Sequence, residues 1–157
     1  MPQHTMQNFT IRKLEARDEA AWRRHWAGYC RFYQVELSAA TTDHTWQRII
    51  NAASPVHAIV AEDPSGGVIG ICNYIIHENT WEIKPVCYLE DLFVDPSLRA
   101  GGVGEAMIYW LKGEMARCGW SRIYWNTKEN NYRARGLYDK FTPRDPFVRY
   151  MIKAATA

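Results

Sequence analysis

An apolar, strand-like run from Val86 to Asp95 leads almost at once into Leu98-Arg99-Ala100-Gly101-Gly102-Val103-Gly104-Glu105-Ala106. No other stretch limits the possible folds so tightly. Three glycines in four positions allow backbone turns that a Cβ would block. Val103, Met107, Ile108, Leu111 and Met115 then recur on one helical face, and Cys118-Gly119 closes the helix. The pattern is strand, tight turn, helix. A helix that starts on glycines exposes unpaired N–H donors and a partial positive charge, which suits a diphosphate. A glycine-rich turn with no ligand has the same composition, so the turn alone leaves both readings open.

A chain of 157 residues is one ordinary domain with a full core, and one domain spanning 1–157 is expected. The net charge of +2, with basic residues scattered, excludes the basic stripe of a nucleic-acid binder. No apolar run is long enough to span a membrane. Met1 to Asn8 is polar and lacks the apolar core of a signal peptide, so the expected location is cytoplasmic. Cys30, Cys72, Cys87 and Cys118 have neither CxxC pairing nor metal-ligand spacing; they read as small buried thiols, with no metal.

The period of the apolar residues gives the remaining elements. Phe9 to Leu14 alternates as a first strand. Asp18 to Tyr33 and Thr42 to Ala52, with Thr42 as N-cap, read as helices. His57 to Glu62 and Val68 to Ile76 are strands around an Asp63-Pro64-Ser65-Gly66-Gly67 turn, and Gly70 marks a bulge or a close approach. Trp81 to Asp95 forms one or two strands, Ser121 to Asn126 another, Tyr132 to Phe141 a short helix, and Phe147 to Ile152 a closing strand. The order β-α-α-β-β-β-α-β-α-β is an α/β or α+β fold around a mixed sheet.

Two motifs now coincide. Tyr88-Leu89-Glu90-Asp91-Leu92-Phe93-Val94-Asp95-Pro96 is followed by Arg99-x-x-Gly102-x-Gly104, and one strand later by Asn131-x-x-Ala134-x-x-Leu137-Tyr138. This resembles the GNAT superfamily of N-acetyltransferases, and within it the spermidine/spermine branch with its thialysine and histone/polyamine-type relatives. The resemblance implies a mixed, mostly antiparallel sheet of six to seven strands flanked by helices, acetyl-CoA as cofactor, and a homodimer. Phe141-Thr142 departs from the Gly-Phe that many relatives carry, on the loop that shapes the amine side.

Acyl transfer from a thioester to an amine needs the cofactor held, the amine neutral and the leaving thiolate protonated. The resemblance places Arg99, Ala100, Gly101, Gly102, Val103, Gly104 and Glu105 around the diphosphate. Backbone groups of Phe93 and Val94 would pair with the pantetheine arm as an added strand does. Asn131 would bond that arm or cap its own helix, Ala134 belongs to the same motif, and Lys140 or Arg133 would reach the adenosine 3′-phosphate. Glu90, a carboxylate in an apolar run, is the candidate general base, directly or through water. Asp91 points to the opposite strand face unless a bulge intervenes. Tyr138 is the candidate general acid, with core packing as its plain alternative. On the amine side, Asp91, Glu82 and Glu78 would attract a polycation. Trp46, with Trp22, Trp26, Tyr29 and Tyr33, would form either a wall for the amine or ordinary helix packing.

The expected activity is acetylation of a small primary amine, polyamine or lysine-like. A protein lysine or N-terminal amine is the rival acceptor, and a non-catalytic CoA-binding module the rival of another class.

Overall fold

A computed structural model describes residues 8–155. They form two compact units that part after Asn126. The first contains β1 (Thr10–Lys13), α1 (Glu19–Phe32), α2 (Ala39–Ile50), β2 (Val56–Glu62), β3 (Val68–His77), β4 (Val86–Val94), α3 (Val103–Cys118) and β5 (Ile123–Tyr124). The second contains α4 (Tyr132–Tyr138). The five strands lie in chain order in one sheet. Neighbours are antiparallel except β4 and β5, which run parallel.

Alternation along β3 places Asn73 on one face and Gly70 on the other. Asn73 Oδ1 accepts from the Trp22 indole of α1 at 3.1 Å. A Cβ on Gly70 would meet Val103 of α3 at 3.3 Å and the Phe93 carbonyl at 3.2 Å. The two helices therefore cover opposite faces, and Gly70 is the close approach expected of it. The α1 face packs Trp22, Trp26, Trp46, Val60, Ile71 and Phe93 into one cluster. Trp22 is fully buried, with ring centroids 5.6 Å from both Trp26 and Trp46. Trp22→Ala is expected to cost about 3–5 kcal/mol, because it opens a large cavity and orphans the Asn73 carbonyl. Thermal unfolding should show a Tm fall of about 6–20 °C; a fall below about 2 °C would remove Trp22 from the centre of the core.

The start of α1 is tied to the sheet by charge. Arg12 on β1 donates to both carboxylate oxygens of buried Asp18, at 2.8 and 2.9 Å, and to Glu62 on β2 at 2.7 Å. The guanidinium bonds hold the Asp18 carboxyl below its ordinary pKa.

Several sequence expectations need correction. The sheet has five described strands, not six to seven. Phe147 to Ile152 forms no strand, and Phe147, Val148, Tyr150 and Ile152 are exposed. Apolar composition makes a segment fit for a sheet, but a strand also needs a neighbour's amides. β4 begins only at Val86. Pro85 has no N–H to give, and Asn79 holds the preceding residues in a turn, its Oδ1 accepting from the amides of Trp81 and Glu82 at 2.9 Å. The cap of α2 is Ser38 rather than Thr42, its hydroxyl accepting from the Thr41 amide at 3.1 Å. Cys72 and Cys87 are buried, Cys30 is half-buried, and Cys118 is exposed. No described helix is long and apolar enough to cross a membrane.

Candidate active site

The decisive irregularity is in β4. Asn73 stands opposite Asp91 and Tyr74 opposite Leu89, so Glu90 is the extra residue of a β-bulge in β4. Such a bulge bends the strand and re-aims side chains. It lets Tyr88, opposite Ile75, and Asp91, opposite Asn73, occupy the same sheet face although they are three residues apart. The condition attached to Asp91 in the sequence is therefore met. Glu90 is exposed at the bulge. Its carboxylate adds to the charge felt by two phenols, Tyr29 on α1 and Tyr124 on β5, whose pKa values burial chiefly raises.

Asp91 itself is no surface charge. It is 8% exposed, accepts from Asn73 Nδ2 at 3.0 Å and from the Tyr29 hydroxyl, and burial pushes its pKa up against those two bonds. Trp22, Asn73, Asp91 and Tyr29 thus form a buried polar chain from α1 through β3 to β4 and back. Trp46 is 2% exposed and packs on Trp22. It is core rather than acceptor wall, because its aromatic surface is already used by its neighbour. Glu82 is exposed and lies 3.9 Å from Arg122, a solvated pair worth little.

β5 pairs with β4 only at Cys87 and Tyr88. It is shorter than the Ser121–Asn126 strand expected, and β4 beyond the bulge has no strand on that side among the described residues. Antiparallel pairing alternates which backbone groups face the neighbour. The Asp95 amide bonds the Ile69 carbonyl at 2.9 Å, and Phe93 stands opposite Ile71. The main chain of Phe93 is therefore committed to β3, and it is Leu92 and Val94 that offer their amides and carbonyls to the open edge. Leu92 was missed in the sequence because alternation has no phase until the register is known. The Phe93 ring is packed at 8% exposure beside α1.

The open edge runs into the glycine turn. Pro96–Gly101 forms a 3-10 turn, Gly102 takes φ 76°, and α3 starts with no side chain capping its first amides. The left-handed φ at Gly102 is what a Cβ would strain. Val103, Gly104 and Glu105 make the first turn of a sixteen-residue helix. The side chains of Arg99 and Ala100 lie outside the described ones. A cavity of about 370 Å³ opens between α1 and the end of β4, lined by Arg24, Arg31, Phe32, Phe93, Asp95 and Pro96. Nothing in the sequence links the two arginines to β4. An open strand edge leading to an uncapped helix start fits a ligand with an amide-bearing arm and a diphosphate.

In the second unit, Asn131 caps α4. Its Oδ1 accepts from the Ala134 amide at 3.4 Å, and its Nδ2 donates to Thr127 Oγ1 at 3.2 Å. The capping role open to Asn131 is formed. Ala134 and Tyr138 are half-buried on α4, and Lys140 is exposed just beyond it.

Comparison with known proteins agrees with this geometry. The model of the Acetyltransferase (GNAT) family matches residues 18–142. The D-amino-acid N-acetyltransferase HPA3 of Saccharomyces cerevisiae is 29% identical over 141 residues, covering 89% of this chain and 88% of its own. Among solved structures, an aminoglycoside acetyltransferase from an uncultured soil metagenomic sample superposes with a TM-score of 0.80. It is 17% identical, with coverage of 94% of this chain and 97% of that one. A ribosomal-protein-alanine N-acetyltransferase from Brucella melitensis biovar Abortus 2308 superposes with a TM-score of 0.78 and 17% identity, covering 94% of this chain and 100% of its own.

Proposed function

Because the chain belongs to the GNAT family and is an acetyl-CoA-dependent N-acetyltransferase, we propose that its acceptor is a small primary amine of amino-acid type. One observation carries the mechanism: an open β4 edge that runs from bulged Glu90 to the glycine turn. Bound acetyl-CoA supplies a thioester as acyl donor. Leu92 and Val94 hold the pantetheine arm through backbone hydrogen bonds. The amides of Gly101, Gly102, Val103, Gly104 and Glu105 hold the diphosphate, with Arg99 and Ala100 in the same turn and Arg24 and Arg31 adding positive charge nearby. Asn131 and Ala134 set the start of α4, and Lys140 reaches for phosphate. Glu90 is the general base for the acceptor nitrogen, and Tyr138 donates a proton to the departing sulfur.

The acceptor reading rests on what the acidic residues do. A polycation needs several available carboxylates, yet Asp91, the acidic residue nearest the bulge, is buried and hydrogen-bonded. The yeast relative is named for D-amino acids, which supports the amino-acid reading over the polyamine one. Two measurements test this. Acetyl-CoA at a hundredfold over its Kd should raise Tm by about 5–10 °C by mass action; no shift at millimolar cofactor would end the cofactor assignment. A thiol-release screen of D- and L-amino acids, lysine, spermidine and peptides should give its highest kcat/KM with an amino acid. Highest turnover of spermidine would return the acceptor to the polyamine class.

A further inference from the structure

One cluster beside Glu90 has no part in this scheme. His77 ends β3, and Tyr124 stands opposite Tyr88 on β5, all on the α1 face of the sheet. His77 Nδ1 lies 2.7 Å from the Glu78 carbonyl, and its Nε2 lies 2.7 Å from the Tyr124 hydroxyl. A carbonyl can only accept, so Nδ1 carries the ring proton. Nε2 of the neutral ring is then an acceptor, and Tyr124 must donate to it. The Tyr124 oxygen keeps acceptor capacity, the Tyr124 ring centroid lies 4.8 Å from that of Tyr88, and the charge of Glu90 is felt at the Tyr124 hydroxyl.

The reaction needs such a group. An acceptor nitrogen arrives as an ammonium with three N–H bonds and leaves as a secondary amide with one. Two protons must go, and a single carboxylate takes one. We propose that Tyr124 and His77 form a relay that removes the ammonium proton, leaving Glu90 to take the second. The ammonium donates to Tyr124 Oη while the Tyr124 proton moves to His77 Nε2. One N–H bond breaks, one O–H bond is exchanged, and an imidazolium forms and later loses a proton to water. The nitrogen keeps the electron pair that attacks the thioester. The C–S bond breaks as the C–N bond forms, and the sulfur is protonated. Tyr124 touches the acceptor; His77 acts through it as a positioning residue. The titratable and charged groups that act on Tyr124 are Tyr88, Glu90 and Cys87 on β4 and Arg122 just before β5, and Arg122 itself lies 3.9 Å from Glu82.

The relay rests on the acetyltransferase reading, and its test separates the two. His77→Gln keeps an oxygen for the tyrosine to donate to but cannot be protonated; Tyr124→Phe removes the hydroxyl. With D-phenylalanine and with spermidine as probes, kcat/KM at pH ~7 should fall about 10–100-fold in each variant. The deficit should close at pH ~10, where more of the amine arrives neutral, and KM for acetyl-CoA should stay put. A merely structural role would lower activity equally at every pH, and parallel profiles would overturn the relay. Nitrogen-15 NMR of His77 in the wild type gives a readout without turnover. A neutral ring protonated on Nδ1, perturbed by Tyr124→Phe, supports the relay; a ring protonated on Nε2 sinks it. Failure of the wild type on both probes would count against the acceptor reading and leave the NMR result to decide the relay.

Discussion

Replacing Glu90 by Gln should lower kcat by about 10²–10⁴-fold while KM for acetyl-CoA stays within about twofold. The substitution keeps the size and hydrogen-bonding reach of the side chain and removes only its capacity to take a proton. Glu90 is the extra, exposed residue of the bulge, and Gln keeps its backbone and its side-chain size. Stability should therefore barely change, which separates a chemical loss from a folding one. Unlike the deficit of His77→Gln, this one should persist at high pH, because a neutral amine still has a proton to lose on becoming an amide. A kcat within about threefold of wild type would move the base elsewhere.

Tyr138→Phe should also lower kcat by about 10²–10⁴-fold. The ring remains to pack at the end of α4, where Tyr138 is half-buried, so the change isolates the hydroxyl. The loss should depend on the leaving group. An acetyl thioester of a more acidic thiol needs less help from a proton donor, and the gap between Tyr138→Phe and wild type should narrow with it. A constant gap across such donors, or an unchanged kcat, would return Tyr138 to packing.

The strand-turn-helix core of the site was legible because it is local. Glycines, an apolar run and a helical period all lie within the thirty-odd residues from Val86 to Cys118, and each reports backbone preference directly. The cap by Ser38, the short β5 and the absent strand at Phe147–Ile152 were not legible, since each depends on which groups meet across the chain. The roles of the acidic and aromatic residues were hidden for the same reason. Asp91 and Trp46 look available in one dimension, yet one is tied to Asn73 and Tyr29 and the other is packed on Trp22.

The sequence by itself determined the family, the cofactor and the pair of residues proposed for acid–base chemistry, because these rest on short motifs with fixed local geometry. The tertiary structure alone decided the phase of β4. One extra residue at Glu90 sets Tyr88 and Asp91 on a common face, turns Leu92 and Val94 toward the open edge, and aligns Tyr124 with His77. Pairing register is a long-range property: it is fixed by hydrogen bonds between strands, and no spacing within a single strand encodes it.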